Sequence, residues 1–197
     1  MSFFDRIFKK KVVTSAAENE SMDSQDDLSI DQKFVKKFIR KGGKFLYCAD
    51  LKETESNLEH ILHENDWSEL ICFEDKMKDL LAKFKVENTS KIKSHLPFFT
   101  CCESLIANDG SIMFSTKQLH DKKLHEFSNN FIVFARTSQL VKDTREGISG
   151  IRNRSEKNEA TIISSIKDFI PKKDATDFMT YGNTNAKTLY LLLLEDL

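Results

Sequence analysis

The sequence predicts an α/β protein with a mixed sheet flanked by helices, and three observations support this fold class. Between residues 44 and 84, short apolar runs alternate with segments of helical periodicity that are joined by short turns. This alternation is typical of parallel strands covered by helices. Two apolar runs also surround Asn108-Asp109-Gly110, which indicates a β-hairpin, and further apolar runs occupy 130–136 and 189–194. We expect about six or seven strands in total.

The first half of the domain is predicted to alternate between helices and strands. Its first helix begins near Asp31, places Phe34 and Phe38 on one face, and ends at Gly42-Gly43. The elements that follow are a strand over 44–50, a helix over 53–65, a strand over 69–73 and a helix over 75–84. Asp50 follows the first strand, where it can be a helix N-cap or a polar site residue.

The second half is predicted to be richer in strands. An irregular stretch that contains Pro97 separates it from the first half. The predicted elements are a hairpin over 103–107 and 111–115, a strand over 130–136, a helix over 138–154, and final strands over 160–164 and 189–194.

Composition divides the chain into three parts. Residues 1–13 form a predicted amphipathic helix with Phe3, Phe4, Ile7 and Phe8 on one face. This helix can dock on its own domain, on a partner or on a membrane surface. Residues 14–30 are acidic and aperiodic, which predicts a flexible linker. Residues 31–197 make the α/β domain.

Charge and glycine content exclude several classes of protein. The 30 basic and 31 acidic residues give a net charge of −1, which argues against a nucleic-acid binder. The sequence contains no Walker, GxGxxG or GxSxG motif. No apolar run is long enough to span a bilayer, and the first residues lack the charge order of a secretory signal. We therefore expect a cytoplasmic protein with no transmembrane segment.

The histidines and cysteines do not predict a metal or cofactor site in this chain. His60 and His63 lie three residues apart on a predicted helix, but no third ligand is identifiable. Adjacent Cys101 and Cys102 point to opposite faces of a strand and lack the spacing of an iron–sulfur cluster. Core packing is therefore the favoured role for at least one of the two, and a reactive thiol remains the alternative.

The hairpin turn is the most informative local feature. Gly110 permits a positive φ, and a tight turn of this kind exposes backbone amides that can bind an anion. The alternative is an ordinary hairpin turn, which the spacing alone favours.

Two segments resemble the LUD domain of lactate-utilisation proteins. Residues 103–114 match an acidic-x-x-I-A-x-T-G-T-hydrophobic pattern, in which Glu103 is the acidic residue and Asp109-Gly110-Ser111 stand for T-G-T. Residues 131–141 match an apolar strand that ends in S-Q-I-V, here Ser138-Gln139-Leu140-Val141. The resemblance covers roughly residues 31–197. The sequence departs from the family pattern in two places. Residues 164–169 lack the Gly and Pro of the family's G-P-S-x-T-A-D-I-type segment, and residues 182–186 retain only the first glycine of its G-x-H-G-P turn.

The resemblance implies a fold similar to the NagB/RpiA/CoA-transferase-like group. It also implies an accessory subunit in the use of L-lactate or a related hydroxy acid, with iron–sulfur oxidoreductase subunits as partners and no cofactor in this chain. A small anionic ligand would then occupy a cleft between the matching segments. The candidate ligand-binding residues are Glu103, Asn108, Asp109, Gly110, Ser111, Ser138, Gln139, Gly182 and Thr184.

Two other functions remain open at this point. The fold group suggests an enzyme that acts on a small phosphorylated or CoA-linked ligand, for which Glu103 is the only candidate nucleophile. Residues 1–13 suggest instead an interaction module that docks through its tether. A homo-oligomer is compatible with each of these functions.

Overall fold

A computed structural model describes residues 28–154, 161–170 and 186–196. Its centre is a sheet of six strands, here called the large sheet, in which every neighbouring pair is parallel. The strands are β1 (Lys44–Cys48), β2 (Glu69–Ile71), β3 (Glu87–Thr89), β4 (Phe98–Cys101), β7 (Asn130–Arg136) and β10 (Thr188–Leu194). Their spatial order is β1-β10-β7-β4-β2-β3.

Four further strands form a second, small sheet of mixed direction. They are β5 (Ser104–Ile106), β6 (Ser111–Ser115), β8 (Leu140–Val141) and β9 (Ile163–Ile166), in the order β8-β5-β6-β9. β5 pairs antiparallel with β6 and parallel with β8, and β6 pairs antiparallel with β9. The hairpin predicted around Asn108-Asp109-Gly110 is therefore confirmed.

Five α-helices are described, and together with the sheets they build a layered molecule. The helices are α1 (Ile30–Arg40), α2 (Leu51–Glu64), α3 (Asp75–Ala82), α4 (Thr116–Leu119) and α5 (Thr144–Arg154). Apolar residues of α2 and α3 share one core with one face of the large sheet. Residues of α1 and the small sheet share a second core with its other face. A small third core joins the far face of the small sheet to α5.

The apolar runs of β7 and β10 explain why these strands lie in the middle of the large sheet. Along β10, Leu189, Leu191 and Leu193 pack toward the small sheet, whereas Tyr190 and Leu192 pack toward α2 and α3. Strands that are covered on both faces need an unbroken apolar sequence, because neither face meets water. The α/β class with a mixed sheet flanked by helices is confirmed, and the strands divide between two sheets.

Several elements differ from the sequence-based prediction. The described residues form ten strands rather than six or seven, and the strand expected over 160–164 is β9 over Ile163–Ile166. The stretch around Pro97 contains β3 and the central strand β4, which are short enough to lack a readable period. Residues 138–154 were predicted as one helix, but Leu140 and Val141 form β8, and α5 begins only at Thr144. Asp143 accepts a hydrogen bond from the Glu146 amide, as a helix N-cap does, so the helix starts after it.

The predicted N-terminal helix over 1–13 and all but the last residues of the predicted linker over 14–30 lie outside the described residues. None of the helices that the structure describes is long and apolar enough to cross a membrane.

Candidate ligand site at the carboxyl edge of the large sheet

The carboxyl ends of the parallel strands meet at one edge of the large sheet, where binding sites of α/β proteins form. Several polar side chains gather here because each follows an apolar strand in the sequence. They are Glu74 after β2, Cys101 and Glu103 at and after β4, Arg136, Ser138 and Gln139 at and after β7, and Asp196 after β10.

Glu103 is held as a carboxylate by three donors. One oxygen accepts hydrogen bonds from the Ser115 hydroxyl at 2.7 Å and the Gln118 amide at 3.1 Å, and the other accepts from the Arg154 guanidinium at 3.1 Å. Burial alone would raise the pKa of Glu103, but these donors outweigh it and hold the pKa below its ordinary value. Both oxygens are therefore already occupied.

Ser138 and Gln139 tie the ends of three strands together. The carboxylate of Asp196 accepts hydrogen bonds from the Ser138 amide at 2.9 Å and from the Ser138 hydroxyl at 2.7 Å. The side chain of Gln139 donates to the carbonyl oxygen of Cys102 at 2.6 Å and accepts from the amide of Arg136 at 2.8 Å. Both side chains stabilise the edge itself.

Arg136 is an exposed cation at this edge. Its side chain is 54% exposed, and its guanidinium lies 3.9 Å from the carboxylate of Asp196. That distance is within ion-pair range but too long for a hydrogen bond, so within the described residues the guanidinium donates no hydrogen bond to a carboxylate and can contact a ligand. Arg136 projects from the end of β7, near the middle of the sheet.

The thiols at this edge are poor nucleophiles near neutral pH, and a buried acid lies beside them. Burial raises the pKa of Glu74, and hydrogen bonds from the Cys101 amide and the Thr100 hydroxyl offset this only in part. Burial, with a further contribution from Glu74, raises the pKa values of Cys72 and Cys101 to about 12. Since the thiolate is the reactive form, these cysteines stay protonated and inert.

The turn at Asn108–Ser111 lies at the other end of the hairpin. β5 and β6 separate it from Glu103 by about 10 Å of extended chain. Gly110 has a φ of +70°, and a Cβ placed on it would lie 2.7 Å from the backbone nitrogen of Phe38 in α1. The Asp109 carboxylate accepts hydrogen bonds from the Ser111 amide and hydroxyl, at 2.9 and 2.6 Å. The close approach at Gly110 is therefore to the protein's own helix.

The structure brings together only some of the residues that the sequence singled out. Glu103, Ser138 and Gln139 share the carboxyl edge, whereas the 108–111 turn is remote from it. Gly182 and Thr184 lie outside the described residues. Sequence reasoning did not single out Arg136, Glu74 or Asp196, although each follows an apolar run, and that position is the signal that could have found them.

The other residues considered in the sequence do not join this site. Asp50 is the N-cap of α2, and its carboxylate accepts from the Glu53 amide at 2.8 Å. Cys102 packs in the core beneath the small sheet, and Cys101 packs against the core on the opposite face, so the predicted orientation is confirmed. His60 and His63 are exposed. Within 28–154, 161–170 and 186–196, no group of three or more potential ligands is arranged to hold a metal ion.

Comparisons with known proteins agree with this fold. The family model of the LUD domain matches residues 7–194. A solved structure of a DUF162 family protein from Deinococcus radiodurans superposes with a TM-score of 0.59 at 12% identity, covering 88% of this chain and 99% of the other. A search of curated proteins finds no match. Because the family model spans nearly the whole sequence, the chain belongs to the LUD domain family.

Proposed function

We propose that this chain is a cytoplasmic accessory subunit in the use of L-lactate or a related hydroxy acid, and that it binds a small anionic ligand at the carboxyl edge of the large sheet. Family membership over residues 7–194 supports the role in lactate use. The observation that carries the anion-binding part is the exposed guanidinium of Arg136 at the end of a central strand. The four free cysteines are compatible with a reducing compartment.

Binding is favoured over turnover by the state of the candidate nucleophiles. Both oxygens of Glu103 accept hydrogen bonds, so an attack by this carboxylate would first have to break them. The thiol of Cys101 is protonated near neutral pH because its pKa is about 12. The accessory role therefore assigns the oxidation itself to iron–sulfur partner subunits.

Affinity purification tests the accessory role. The tagged full-length chain is recovered from its native cells grown on lactate, and bound proteins are quantified by mass spectrometry. We expect iron–sulfur oxidoreductase subunits in near-stoichiometric amounts, and much less of them from cells grown on glucose. Recovery of the chain alone under both conditions would contradict the proposal.

One observation supports a second candidate function, an enzyme of the CoA-transferase-like fold group. Glu103 is an ionised carboxylate at a strand end, and the ionised state is the one that a carboxylate nucleophile needs. Its side chain is 12% exposed. The test supplies acetyl-CoA and a free carboxylate, and follows the exchange of the thioester by mass spectrometry. Transfer that disappears in Glu103→Gln would favour the enzyme, and transfer at full rate in that variant would end the idea.

A further inference from the structure

A groove runs between α2 and α3 on the outer side of the large sheet. It has a volume of about 270 Å³, and one of its ends opens at the carboxyl edge beside Arg136. Phe134 of β7 together with Met77 and Leu80 of α3 supplies its apolar lining. Pockets for drug-sized ligands measure about 300–1,000 Å³, so this groove is suited to a ligand smaller than most drug molecules.

The charges of the groove are distributed unevenly along its length. Toward the carboxyl end of α3, Lys83 and Glu55 form an ion pair at 2.5 Å and neutralise each other. Lys76 and Arg136 lie at the end that faces the carboxyl edge. Within the described residues, no carboxylate lies within ion-pair distance of Lys76. The carboxylate of Asp79 also lines the groove, on an exposed residue of α3.

Lys76 and Arg136 face the same small region. Both residues line the groove, and Cys101 lies at the end of β4 beside the end of β7, from which Arg136 projects. Two carboxylates lie near this region, since Asp196 is 3.9 Å from Arg136 and Glu74 accepts a hydrogen bond from the Cys101 amide. Within the described residues, neither carboxylate forms an ion pair with Lys76 or a hydrogen bond with Arg136, so both cations can contact an anion. A guanidinium binds a carboxylate through paired hydrogen bonds.

The groove also leaves apolar surface uncovered. Leu51, the first residue of α2, lines it and is 60% exposed. Phe134 and Met77, by contrast, are 7% and 8% exposed, so they form a preorganised floor. An aliphatic chain laid along this floor would cover Leu51 and remove its apolar surface from water.

We infer that this groove binds a short-chain aliphatic carboxylate, with its carboxylate group between Lys76 and Arg136 and its chain against Phe134, Met77 and Leu80. This inference rests on the proposed function, because it specifies the class of the small anionic ligand. Each methylene group that the floor covers strengthens binding about fourfold, until the groove is full.

The methionines allow a direct test in the full-length protein. The chain has five methionines. Met77 lies in the groove, whereas Met113 lies in the third core, between the small sheet and α5. The protein is labelled with ¹³C at its methionine methyl groups and titrated with hexanoate, and Met77→Leu assigns the Met77 signal. We expect a saturable shift of the Met77 methyl signal with that of Met113 unchanged, and about 16-fold weaker binding of butyrate, which is two methylene groups shorter.

Charge variants show whether the two cations hold the ligand. We expect Arg136→Gln and Lys76→Gln each to raise the Kd for hexanoate about tenfold, because each removes a charge-assisted contact. Lys117→Gln is the matched control: it removes an exposed lysine of α4 outside the groove and should leave the Kd unchanged. An unchanged Met113 signal verifies the fold of each variant.

Four results would overturn the inference. The first is a Met77 signal that hexanoate does not shift. The second and third are shifts of the Met77 signal by the neutral hexanamide or by inorganic phosphate that equal the shift by hexanoate. The fourth is tighter binding of L-lactate than of hexanoate. The purification experiment separates this inference from the proposed function. Partners recovered without hexanoate binding would remove only this site, and hexanoate binding without partners would remove only the accessory role.

Discussion

The two ends of the β5–β6 hairpin carry similar polar residues but serve different purposes. At the turn end, Gly110 lies against the backbone of α1, and Asp109 binds Ser111 within the turn. At the open end, Glu103 lies in a network with Ser115 and Arg154 at the carboxyl edge of the large sheet. Polar motif residues that are close in sequence therefore do not make one site when a strand separates them.

This difference bears on how the family motif is interpreted. The turn residues stand in for T-G-T in the same family pattern that contains Glu103, and the motif suggested a common cleft. In the structure, the turn is used to join the small sheet to α1, since Lys37 of α1 also donates to the carbonyl oxygen of Asn108. The open end lies at the same carboxyl edge of the large sheet as the exposed Arg136, so ligand binding is expected at this edge. Three variants test this division.

Gly110→Ala has the largest expected effect and tests the turn end. An alanine would have to adopt a φ of +70° and would place its Cβ 2.8 Å from the carbonyl carbon of Lys37. Strain and overlap together should lower the free energy of unfolding by about 3 kcal/mol, measured by chemical denaturation.

Gly150→Ala is the matched control for this variant. Gly150 lies in α5, and its nearest neighbour would be the flexible end of Arg154 at 3.2 Å. This variant should be neutral or slightly stabilising, because alanine favours a helix. A Gly110→Ala protein as stable as the Gly150→Ala protein would refute the close packing of the turn on α1.

Glu103→Gln tests the open end of the hairpin and should lower the free energy of unfolding by an amount that depends on pH. The amide cannot accept hydrogen bonds on both sides as the carboxylate does, so we expect a loss of about 2 kcal/mol at neutral pH. The pKa of Glu103 is lowered in the folded protein, so its contribution is complete above its ordinary pKa of 4.5 and is lost as the pH falls through the lowered value. The stability difference should therefore narrow below pH 4.5.

Denaturation curves of both proteins across this pH range measure the effect. Glu87→Gln, which alters an exposed carboxylate of β3, is the control and should change stability by less than about 0.5 kcal/mol. A constant difference between wild type and Glu103→Gln at all pH values would show that Glu103 is not held as a carboxylate.

Asp109→Ala has the smallest expected effect and refines the comparison. It removes the acceptor for the Ser111 amide and hydroxyl, which should cost about 1 kcal/mol in thermal or chemical unfolding. Asp109→Asn retains an acceptor oxygen and should recover most of this loss. Neither substitution should change the Kd for hexanoate. A raised Kd would indicate that the turn contributes to the ligand site.

Part of the candidate site could be predicted from the sequence. The LUD-like motif identified Glu103, Ser138 and Gln139, which all lie at the carboxyl edge of the large sheet. It did not single out Arg136, although the position of this arginine at the end of an apolar run was a signal that could have found it. The groove beside Arg136 joins residues 51 and 136, and only tertiary contacts bring such distant positions together.

The sequence by itself determined the elements whose side chains repeat with a clear period or form an unbroken apolar run. The helix with Phe34 and Phe38 on one face, the strands of 130–136 and 189–194 and the hairpin at Gly110 are all such elements. Their patterns are local, because each residue's burial follows from its place in its own helix or strand.

Only the tertiary structure decided which short segments become strands and which surfaces meet. Leu140 and Val141 fit a helix in isolation, but they pair with Leu105 and Ile106 across a distance of 35 residues in the chain. The division into two sheets, the contact of Gly110 with α1 and the convergence of Lys76 and Arg136 also depend on partners far along the sequence. The physical reason is that pairing and packing energies arise between segments, so no local pattern encodes them.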